Sequence, residues 1–349
     1  MSITLTGSSN DILSTTIFEI EDEVSEALFE TTPFLSISKK LGKIRTFDGG
    51  YKLVVPVETQ EHSQLTVLSS GWEALDLSVR DATQQAEYDW MRLAMPVLIS
   101  GREEAENSGE RAIIDLAEVR YKNALSALMR KINQQIVGNT VTDLATLGTI
   151  NGNTAGQGVS TGFLEDAAPA SQGNTMGGLS HGLAVGLQNQ FANAGNDFSA
   201  NGIGAMYELE AKASTLMPAD GDGGRFHLTL ASPNGYVNYR QALFAQERYV
   251  DAKTLDASGV QSLQFSSGVI MPERAMDVAA GAGSAGSNTM AMLNLDAIYL
   301  HVHGDADFKF TGFEDISGYD GRYGRILFMG GLCASHLGSS ALLVNGETF

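Results

Sequence analysis

The sequence predicts an α+β fold in which helices and strands are segregated along the chain rather than alternating strictly. Apolar residues at spacings of three and four predict a long helix that ends before Gly138. Two earlier stretches, residues 51–57 and 86–91, alternate apolar and polar residues with a period of two, which is typical of strands. Further short strand patterns fill the chain after residue 259.

Composition and charge limit the classes of partner. The chain has 349 residues, with 22 Lys and Arg against 41 Asp and Glu, so its formal net charge is −19. Neutralisation of phosphates by Lys and Arg supplies most of the affinity for nucleic acid, so a chain this acidic is a poor candidate for wrapping DNA or RNA. It is equally unsuited to an anionic membrane surface. Apolar residues, at 43%, suffice for sizeable cores.

Cysteine content and targeting signals narrow the compartment. The single cysteine, Cys333, excludes an internal disulfide and a zinc site built from cysteines. The first residues lack a basic region followed by an apolar run, and no apolar stretch approaches 18 residues. We therefore expect a product made in the cytoplasm, with no membrane span.

Residues 1–48 are predicted to form an arm with one short helix and no core of its own. The helical spacing rests on four apolar residues: Ile17, Ile20, Val24 and Leu28. Pro33 closes this pattern, because proline disfavours the helical conformation of the residue before it.

Residues 49–100 are predicted to form one long two-stranded hairpin. The outgoing strand places Leu53, Val55 and Val57, with Tyr51, on one face, and the return alternates around Ala86, Tyr88 and Trp90. The roughly 25 residues between the two strands exceed ordinary hairpin loops. Because an isolated hairpin is only marginally stable in water, we expect this one to lie on another surface, such as a neighbouring subunit.

Residues 103–137 carry the clearest helical pattern. Ser100 and Glu103 match a capping box, in which the two side chains satisfy free N–H groups at the helix start. Gly109 is expected to interrupt the first part, which leaves a helix about 40 Å long from Glu110 onwards. Its apolar stripe consists of Ile114, Ala117, Tyr121, Leu125, Leu128, Ile132 and Ile136.

The remaining chain is predicted to be a loop-rich stretch followed by short helices and strands. Residues 138–205 are rich in Gly, Asn, Ala, Ser and Thr, with one helix expected over 183–193. Helices are expected over 206–217 and over 233–246, where proline stands near the start. The predicted strands are residues 225–231, 259–265, 268–272, 289–303, 307–313 and 322–332.

Two matches to the serine-hydrolase elbow G-x-S-x-G centre on Ser160 and Ser180. The elbow needs a strand leading in and a helix leading out, so that the serine sits on a strained turn. Neither lead-in resembles a strand, and Ser180 is better explained as the N-cap of a following helix.

Three other patterns resemble ligand sites. Residues 281–286 spell G-x-G-x-x-G, but a strand pattern follows where a dinucleotide site needs a helix. Asp220 and Asp222 resemble the start of a calcium loop that lacks its later ligands. His301, His303, Asp305 and Asp307 would share one strand face, and could hold a metal, if the strand stays regular past Gly304. We predict no catalytic residue, no cofactor and no metal, and hence no enzyme.

The order of these elements resembles the HK97-fold major capsid proteins of tailed bacteriophages. Phe34-Leu-Ser-Ile-Ser-Lys-Lys with the run from Gly49 to Val57 resembles the family's N-arm and the start of its E-loop. Residues 86–100 resemble the descent from the E-loop into the spine helix. Residues 225–236 resemble a strand and helix of the peripheral domain, and residues 334–338 resemble the return to that domain.

This resemblance implies a division of the chain. The arm covers residues 1–48, the E-loop hairpin 49–100, the peripheral domain 101–246 with a spine helix over 103–137 and a Gly/Asn-rich insertion, the axial domain 247–303, and the return to the peripheral domain 304–349.

The resemblance also implies a function. It implies pentamers and hexamers that tile an icosahedral shell around double-stranded DNA, a portal protein at one vertex, and a virion assembled in the host cytoplasm. Because the arm-like sequence begins almost at once, we expect a separate scaffolding protein or a processed N-terminus. No lysine lies between Lys52 and Lys122, so a lysine cross-link from the loop is not expected and a decoration protein could help to stabilise the shell.

Three alternatives remain open. A metal-binding surface protein would use His301 and His303, and elemental analysis of the purified protein would reveal the metal. An encapsulin-like compartment would share the fold but enclose a cargo enzyme instead of nucleic acid. A serine hydrolase using Ser160 or Ser180 would be labelled by a fluorophosphonate, and Ser180→Ala would abolish that labelling if Ser180 is the nucleophile.

Overall fold

The fold consists of two six-stranded sheets, a long helix and a hairpin. The computed structural model describes residues 32–59, 82–106, 110–137, 149–151, 162–165, 167–195, 198–216, 225–244, 263–266, 268–276, 288–315 and 317–345. The helices are α1 (Pro33–Lys40), α2 (Gly101–Glu106), α3 (Glu110–Val137), α4 (Phe198–Thr215) and α5 (Pro233–Phe244). None of these described helices is long and apolar enough to cross a membrane.

The strands are short except for two. The first nine are β1 (Ile44–Phe47), β2 (Leu53–Glu58), β3 (Thr83–Tyr88), β4 (Met91–Ser100), β5 (Thr149–Asn151), β6 (Gly162–Leu164), β7 (Thr175–Met176), β8 (Leu179–Ser180) and β9 (Gln190–Asn193). The others are β10 (Leu228–Ala231), β11 (Leu263–Phe265), β12 (Gly268–Pro272), β13 (Asn288–Leu293), β14 (Ile298–His303), β15 (Lys309–Phe310), β16 (Glu314–Asp315), β17 (Gly321–Ala334) and β18 (Ala341–Asn345).

The first sheet is organised around β17, a strand of 14 residues. On one side β17 pairs antiparallel with β4, from Gly321 opposite Ser100 to Gly330 opposite Met91. On its other side it pairs in succession with β16, β15 and β14. β1 then joins the far edge of β14 in parallel, so the chain near residue 45 contacts the chain near residue 301.

The second sheet has the order β11-β12-β10-β13-β18-β9. α4 and α5 pack against it, and together they enclose a separate apolar cluster that includes Met206, Leu209, Tyr239, Met292 and Leu343. Buried strands such as Leu228–Ala231, which is apolar or small except for Thr229, suit a sheet that is covered on both faces.

α3 confirms the predicted long helix, and its apolar stripe forms part of the main core. Ala117, Tyr121, Leu125, Ile132 and Ile136 are each fully buried. The Tyr121 ring packs edge-on against Phe310 of the first sheet, with 5.3 Å between ring centroids. The helix therefore presents the side chains that hold the first sheet in place.

The start of the described chain differs from the predicted coreless arm. The predicted helix before Leu28 lies outside the described residues. Pro33 begins α1 rather than only closing an earlier helix, and Phe34, Leu35 and Ile37 enter the main core. Proline fits the first helical position, because no N–H is needed there.

Two predicted elements of the middle chain are wrong. The helix expected over 183–193 is replaced by two 3₁₀ turns, His181–Leu183 and Val185–Leu187, and by β9. The single strand expected over 289–303 is two strands in different sheets, β13 and β14. Asn294 Oδ1 accepts the N–H of Asp296 at 2.9 Å, and this local bond turns the chain between them.

The predicted hairpin is confirmed only in part. β2 and β3 pair antiparallel, but β4, which was assigned to the hairpin's return, belongs to the first sheet. The sheets also do not separate at residues 246 and 303: β10 shares the second sheet with β12, and β14 shares the first with β17. The division into named domains stays a prediction.

Candidate assembly surfaces

The base of the β2–β3 hairpin is fixed on the body of its own chain. Because β2 alternates apolar and polar positions, Leu53, Val55 and Val57 turn inward and are each at most 6% exposed, whereas Val54 is 49% exposed. Opposite them, Ala86 is fully buried. The surface that the sequence analysis expected from a neighbour is therefore supplied here by the chain itself.

Two backbone contacts hold the β3 side of the hairpin. The Tyr88 hydroxyl donates to the carbonyl of Ala334 at 2.7 Å and lies 3.2 Å from the N–H of the same residue, which donates to it. Burial raises the pKa of Tyr88 far above its usual range. The Glu87 N–H donates to the Gly177 carbonyl at 2.9 Å. Gly177 has φ +54°, and a Cβ there would lie 2.7 Å from the Cβ of Ala86, so only glycine fits.

Between β2 and β3 the sequence has a segment of 22 residues, 60–81, which lies outside the described residues, and the two residues that flank it are in contact. The Thr59 N–H donates to the Ala82 carbonyl at 2.9 Å, which closes the base of that segment. In the sequence, the segment contains four acidic residues and one arginine, a formal charge of −3, together with Trp72 and several leucines. It is thus an acidic segment with apolar side chains.

One face of the β4–β17 pair is exposed. Residues directly opposite in an antiparallel pair share a face, so the register groups Pro96 with Arg325 and Leu98 with Tyr323. We call this surface the open face; it consists of Arg92, Ala94, Pro96, Leu98, Lys309 and Arg325, all exposed. Leu98, at 53% exposed, is the largest apolar side chain in it.

The open face is cationic although the chain as a whole is acidic. Arg92, Lys309 and Arg325 form no ion pair with any other described residue, and Arg325 lies over the Tyr323 ring at 5.6 Å. Glu314, an acidic residue on this side, accepts a hydrogen bond from the Tyr323 hydroxyl at 3.1 Å. This surface is not visible in the sequence, because it forms only when β4 and β17, which are far apart along the chain, pair with each other.

Pro96 protects the free edge of β4. Among the described strands, β4 pairs only with β17; on its other edge the Arg120 side chain of α3 donates to the Leu98 carbonyl, so that edge is not paired with a strand. Proline has no N–H to offer, and at an edge it discourages unwanted strand addition. Contacts at this surface therefore involve the face more readily than the edge.

The predicted capping box stabilises the start of α2. The Glu103 N–H donates to Ser100 Oγ at 3.3 Å, and the Ser100 N–H donates to Glu103 Oε2 at 3.2 Å. Glu103 also forms an ion pair with Arg120 of α3. The hydrogen bond from Arg120 lowers the pKa of Glu103.

The residues proposed as a metal cluster do not come together. His301 is 4% exposed and lies between Phe47 and Tyr299, with ring centroids 5.1 Å from each. Burial, and then the charge of Arg45, lower its pKa to about 4. The strand ends at His303, and a 3₁₀ turn over Gly304–Ala306 breaks the assumed alternation.

His303 instead serves the turn, since its Nδ1 accepts the N–H of Asp305 at 3.2 Å. Within the described ranges, no three His, Cys, Asp or Glu side chains are grouped so that they could hold a metal. Cys333 is buried, and burial raises the pKa of its thiol to about 12, which disfavours the thiolate that a metal ligand or a nucleophile needs.

The serine elbow at Ser180 has the wrong geometry. Ser180 is an exposed residue at the end of the two-residue strand β8, and a 3₁₀ turn rather than a helix follows it. It occupies the N-cap position of that turn, but its side chain makes no capping hydrogen bond. Ser160, the pattern at 281–286, and Asp220 with Asp222 lie outside the described residues.

No protein-family model matches the sequence, and no curated protein matches it either. Solved structures do match its fold along most of its length. The capsid asymmetric unit of cyanophage A-1(L) has a TM-score of 0.59 at 14% identity, and the match covers 90% of this chain and 92% of that one. This chain has an HK97-like capsid fold.

Two further solved structures share the HK97-like fold. The holo-SrpI encapsulin complex from Synechococcus elongatus has a TM-score of 0.51 at 10% identity, with 88% of this chain and 87% of that chain covered. The capsid of an empty GTA particle has a TM-score of 0.50 at 13% identity, with 88% and 96% covered. The structural match supports the predicted fold class.

Proposed function

We propose that this chain is the major capsid protein of a tailed bacteriophage, which assembles as pentamers and hexamers into an icosahedral shell around double-stranded DNA. The observation that carries the proposal is the match over nearly the full length of both chains to a cyanophage capsid subunit. A shell subunit needs contact surfaces rather than a reaction centre, and the described residues offer the former.

The hairpin and the open face supply complementary surfaces for contacts between copies. The segment at 60–81 is acidic with apolar residues, and the open face carries Arg92, Lys309 and Arg325 around Leu98. Opposite charges favour encounter and register between two copies, and salt screens that attraction. We propose that the segment of one copy lies over the open face of a neighbour.

The net charge of −19 suits a container for DNA. Carboxylates do not bind phosphates, so DNA packaged inside a wall rich in carboxylates stays free to move. Replacing inward-facing carboxylates by lysine should hinder packaging or trap host nucleic acid, and normal packaging would contradict this part of the proposal. The DNA is held without sequence-specific binding. A separate scaffolding protein, a portal protein, a possible decoration protein and assembly in the host cytoplasm belong to the same proposal.

An encapsulin-like compartment is the second candidate. The specific observation in its favour is the match to the holo-SrpI encapsulin complex over 88% of this chain. The two candidates differ in their contents, because a phage shell encloses DNA and a compartment encloses a protein cargo. Nuclease-protected DNA in purified particles would favour the first, and a stoichiometric enzyme would favour the second.

The test is negative-stain electron microscopy of the full chain after size-exclusion chromatography, with and without a scaffold candidate. Closed shells or capsomer rings in the void fraction are expected. A compact species near 37 kDa that never assembles would overturn the shell proposal.

The contact between copies has its own test. Arg92→Glu with Arg325→Glu should reduce assembly, while the equal charge change at Arg130 and Lys131, two exposed residues of α3, serves as the control. Equal assembly of the two double variants would contradict the role of the open face but leave the shell proposal standing.

A further inference from the structure

Glu273 is a buried acid at the junction of α3 and the second sheet. It follows β12 directly, and its N–H donates to the Ala231 carbonyl at 2.8 Å, which extends the β10–β12 pairing by one residue. The residue is 5% exposed. A charged carboxylate at such a depth is costly unless a cation or several donors meet it.

The donors around Glu273 satisfy only one of its oxygens. Oε1 accepts the N–H of Ala275 at 3.0 Å, and the Asn133 side chain of α3 also hydrogen-bonds to the carboxyl group. Among the described residues, Oε2 is buried without a hydrogen-bond partner, and so is Oδ1 of Asn133. Two neighbouring side chains thus each retain an acceptor oxygen that lacks a donor.

Among the described residues, no positive charge pairs with Glu273. The Asn133 amide and the backbone N–H of Ala275 hydrogen-bond to the Glu273 side chain, and the Glu273 backbone N–H donates to the Ala231 carbonyl at the end of β10. Arg274, the adjacent cation in sequence, is exposed, and Glu273 has no ion pair within the part of the chain that the structure describes. Burial accordingly raises the pKa of Glu273.

We propose that Glu273 carries a proton in the folded chain and that its carboxylic acid, together with the amide of Asn133, forms a proton-dependent joint between α3 and the second sheet. The proton satisfies Oε2 and supplies a donor for the free Oδ1 of Asn133. Loss of that proton leaves a buried, uncompensated negative charge at the joint. The joint therefore weakens as pH rises, and this holds whether or not the chain forms a shell.

The sign of the effect follows from linkage. The folded state holds the Glu273 proton to a higher pH than the unfolded state does, so its stabilising contribution is complete below the pKa of the unfolded chain. It is lost as pH rises toward the folded pKa. Across that window the unfolding equilibrium constant gains up to about tenfold per pH unit from this one group.

The test compares wild type, Glu273→Gln and Glu210→Gln by denaturant unfolding from pH 5 to pH 8. Glutamine keeps the shape of the protonated acid without the charge, so Glu273→Gln should gain stability relative to wild type as pH rises. Glu210, a partly exposed residue of α4 with no ion pair to another described residue, is the control and should leave the pH profile unchanged.

A second measurement covers the case in which Glu273→Gln does not fold. Infrared difference spectra of wild type across the same pH range should show the carbonyl stretch of a buried protonated carboxylic acid that disappears on alkalinisation. Asn133→Ala should shift that band, because the partner amide is gone. Parallel pH profiles of wild type and Glu273→Gln, or the absence of the band, would overturn the proposal.

Discussion

Tyr88→Phe tests how strongly the hairpin base is held to the body. The hydroxyl spans the carbonyl and the N–H of Ala334 at 2.7 and 3.2 Å, and the ring is 9% exposed. Phenylalanine keeps the ring and removes only the oxygen, so almost no cavity forms. Removing one partner of a buried hydrogen bond costs about 1–3 kcal/mol, because the remaining group is left without water. We expect Tyr88→Phe to lose about that amount of unfolding free energy.

Tyr323→Phe is the matched control for this measurement. Its hydroxyl donates to Glu314 at 3.1 Å, but that hydrogen bond is exposed to solvent. Water replaces such a partner, so we expect a loss of no more than about 0.5 kcal/mol. In urea, the midpoint of Tyr88→Phe should fall with an unchanged slope, because the surface exposed on unfolding is the same. Equal midpoints for the two variants would refute the reasoning.

Three further changes probe other parts of the fold. Ser100→Ala removes the acceptor of the Glu103 N–H and should cost about 1 kcal/mol in denaturant unfolding; an unchanged midpoint would mean that the capping box contributes nothing. Gly268→Ala would place a Cβ 2.2 Å from the Phe226 carbonyl oxygen, a backbone atom that cannot rotate away, so it should lower the free energy of unfolding by more than about 2 kcal/mol. Gly204 in α4 has open space around it, so Gly204→Ala should raise the free energy of unfolding by up to about 1 kcal/mol. The reverse order of melting temperatures would contradict the packing. The pKa of His301 is lowered to about 4, so between about pH 4 and 6.5 the unfolded chain binds a proton at this residue that the folded chain does not bind. The free energy of unfolding should therefore fall as pH drops from about 6.5 toward 4. In a pH series of unfolding midpoints, His301→Gln should flatten that part of the profile.

Local patterns predicted the elements whose stability is local. The stripe of α3, the alternation of β2, and the Ser100–Glu103 capping box each follow from spacing within a few residues. The structure confirms them because no distant partner is needed to form the pattern.

Pairing between distant segments was not visible in the sequence. β1 pairs with β14 although more than 250 residues separate Ile44 from Leu300, and no period in residues 44–47 announces it. The helix expected over 183–193 is absent, because these residues form 3₁₀ turns and then β9, whose partner β18 lies about 150 residues further along the chain. The turn at Asn294 could have been predicted, because an asparagine side chain often accepts the backbone N–H two residues further along the chain.

The candidate sites could be predicted from the sequence less well than the helices and strands. His301 and His303 look alike in sequence, yet one is buried between aromatic rings and the other accepts the N–H of a turn residue. Glu273 gave no signal at all, because its importance depends on burial beside Asn133 rather than on any motif. The cationic open face arises from two strands that are far apart in sequence and was equally hidden.

The position of β18 bears on how the chain folds as it is made. This strand comes last in chain order among those described, yet it lies inside the second sheet, where it pairs with β13 on one side and β9 on the other. A nascent chain whose earlier strands have all left the ribosome therefore still lacks β18, the strand that joins β9 to the rest of the second sheet. Closure of this sheet awaits synthesis of residues 341–345, and such long-range pairing is slow to form. Until then β9 lacks the strand with which it pairs in this sheet.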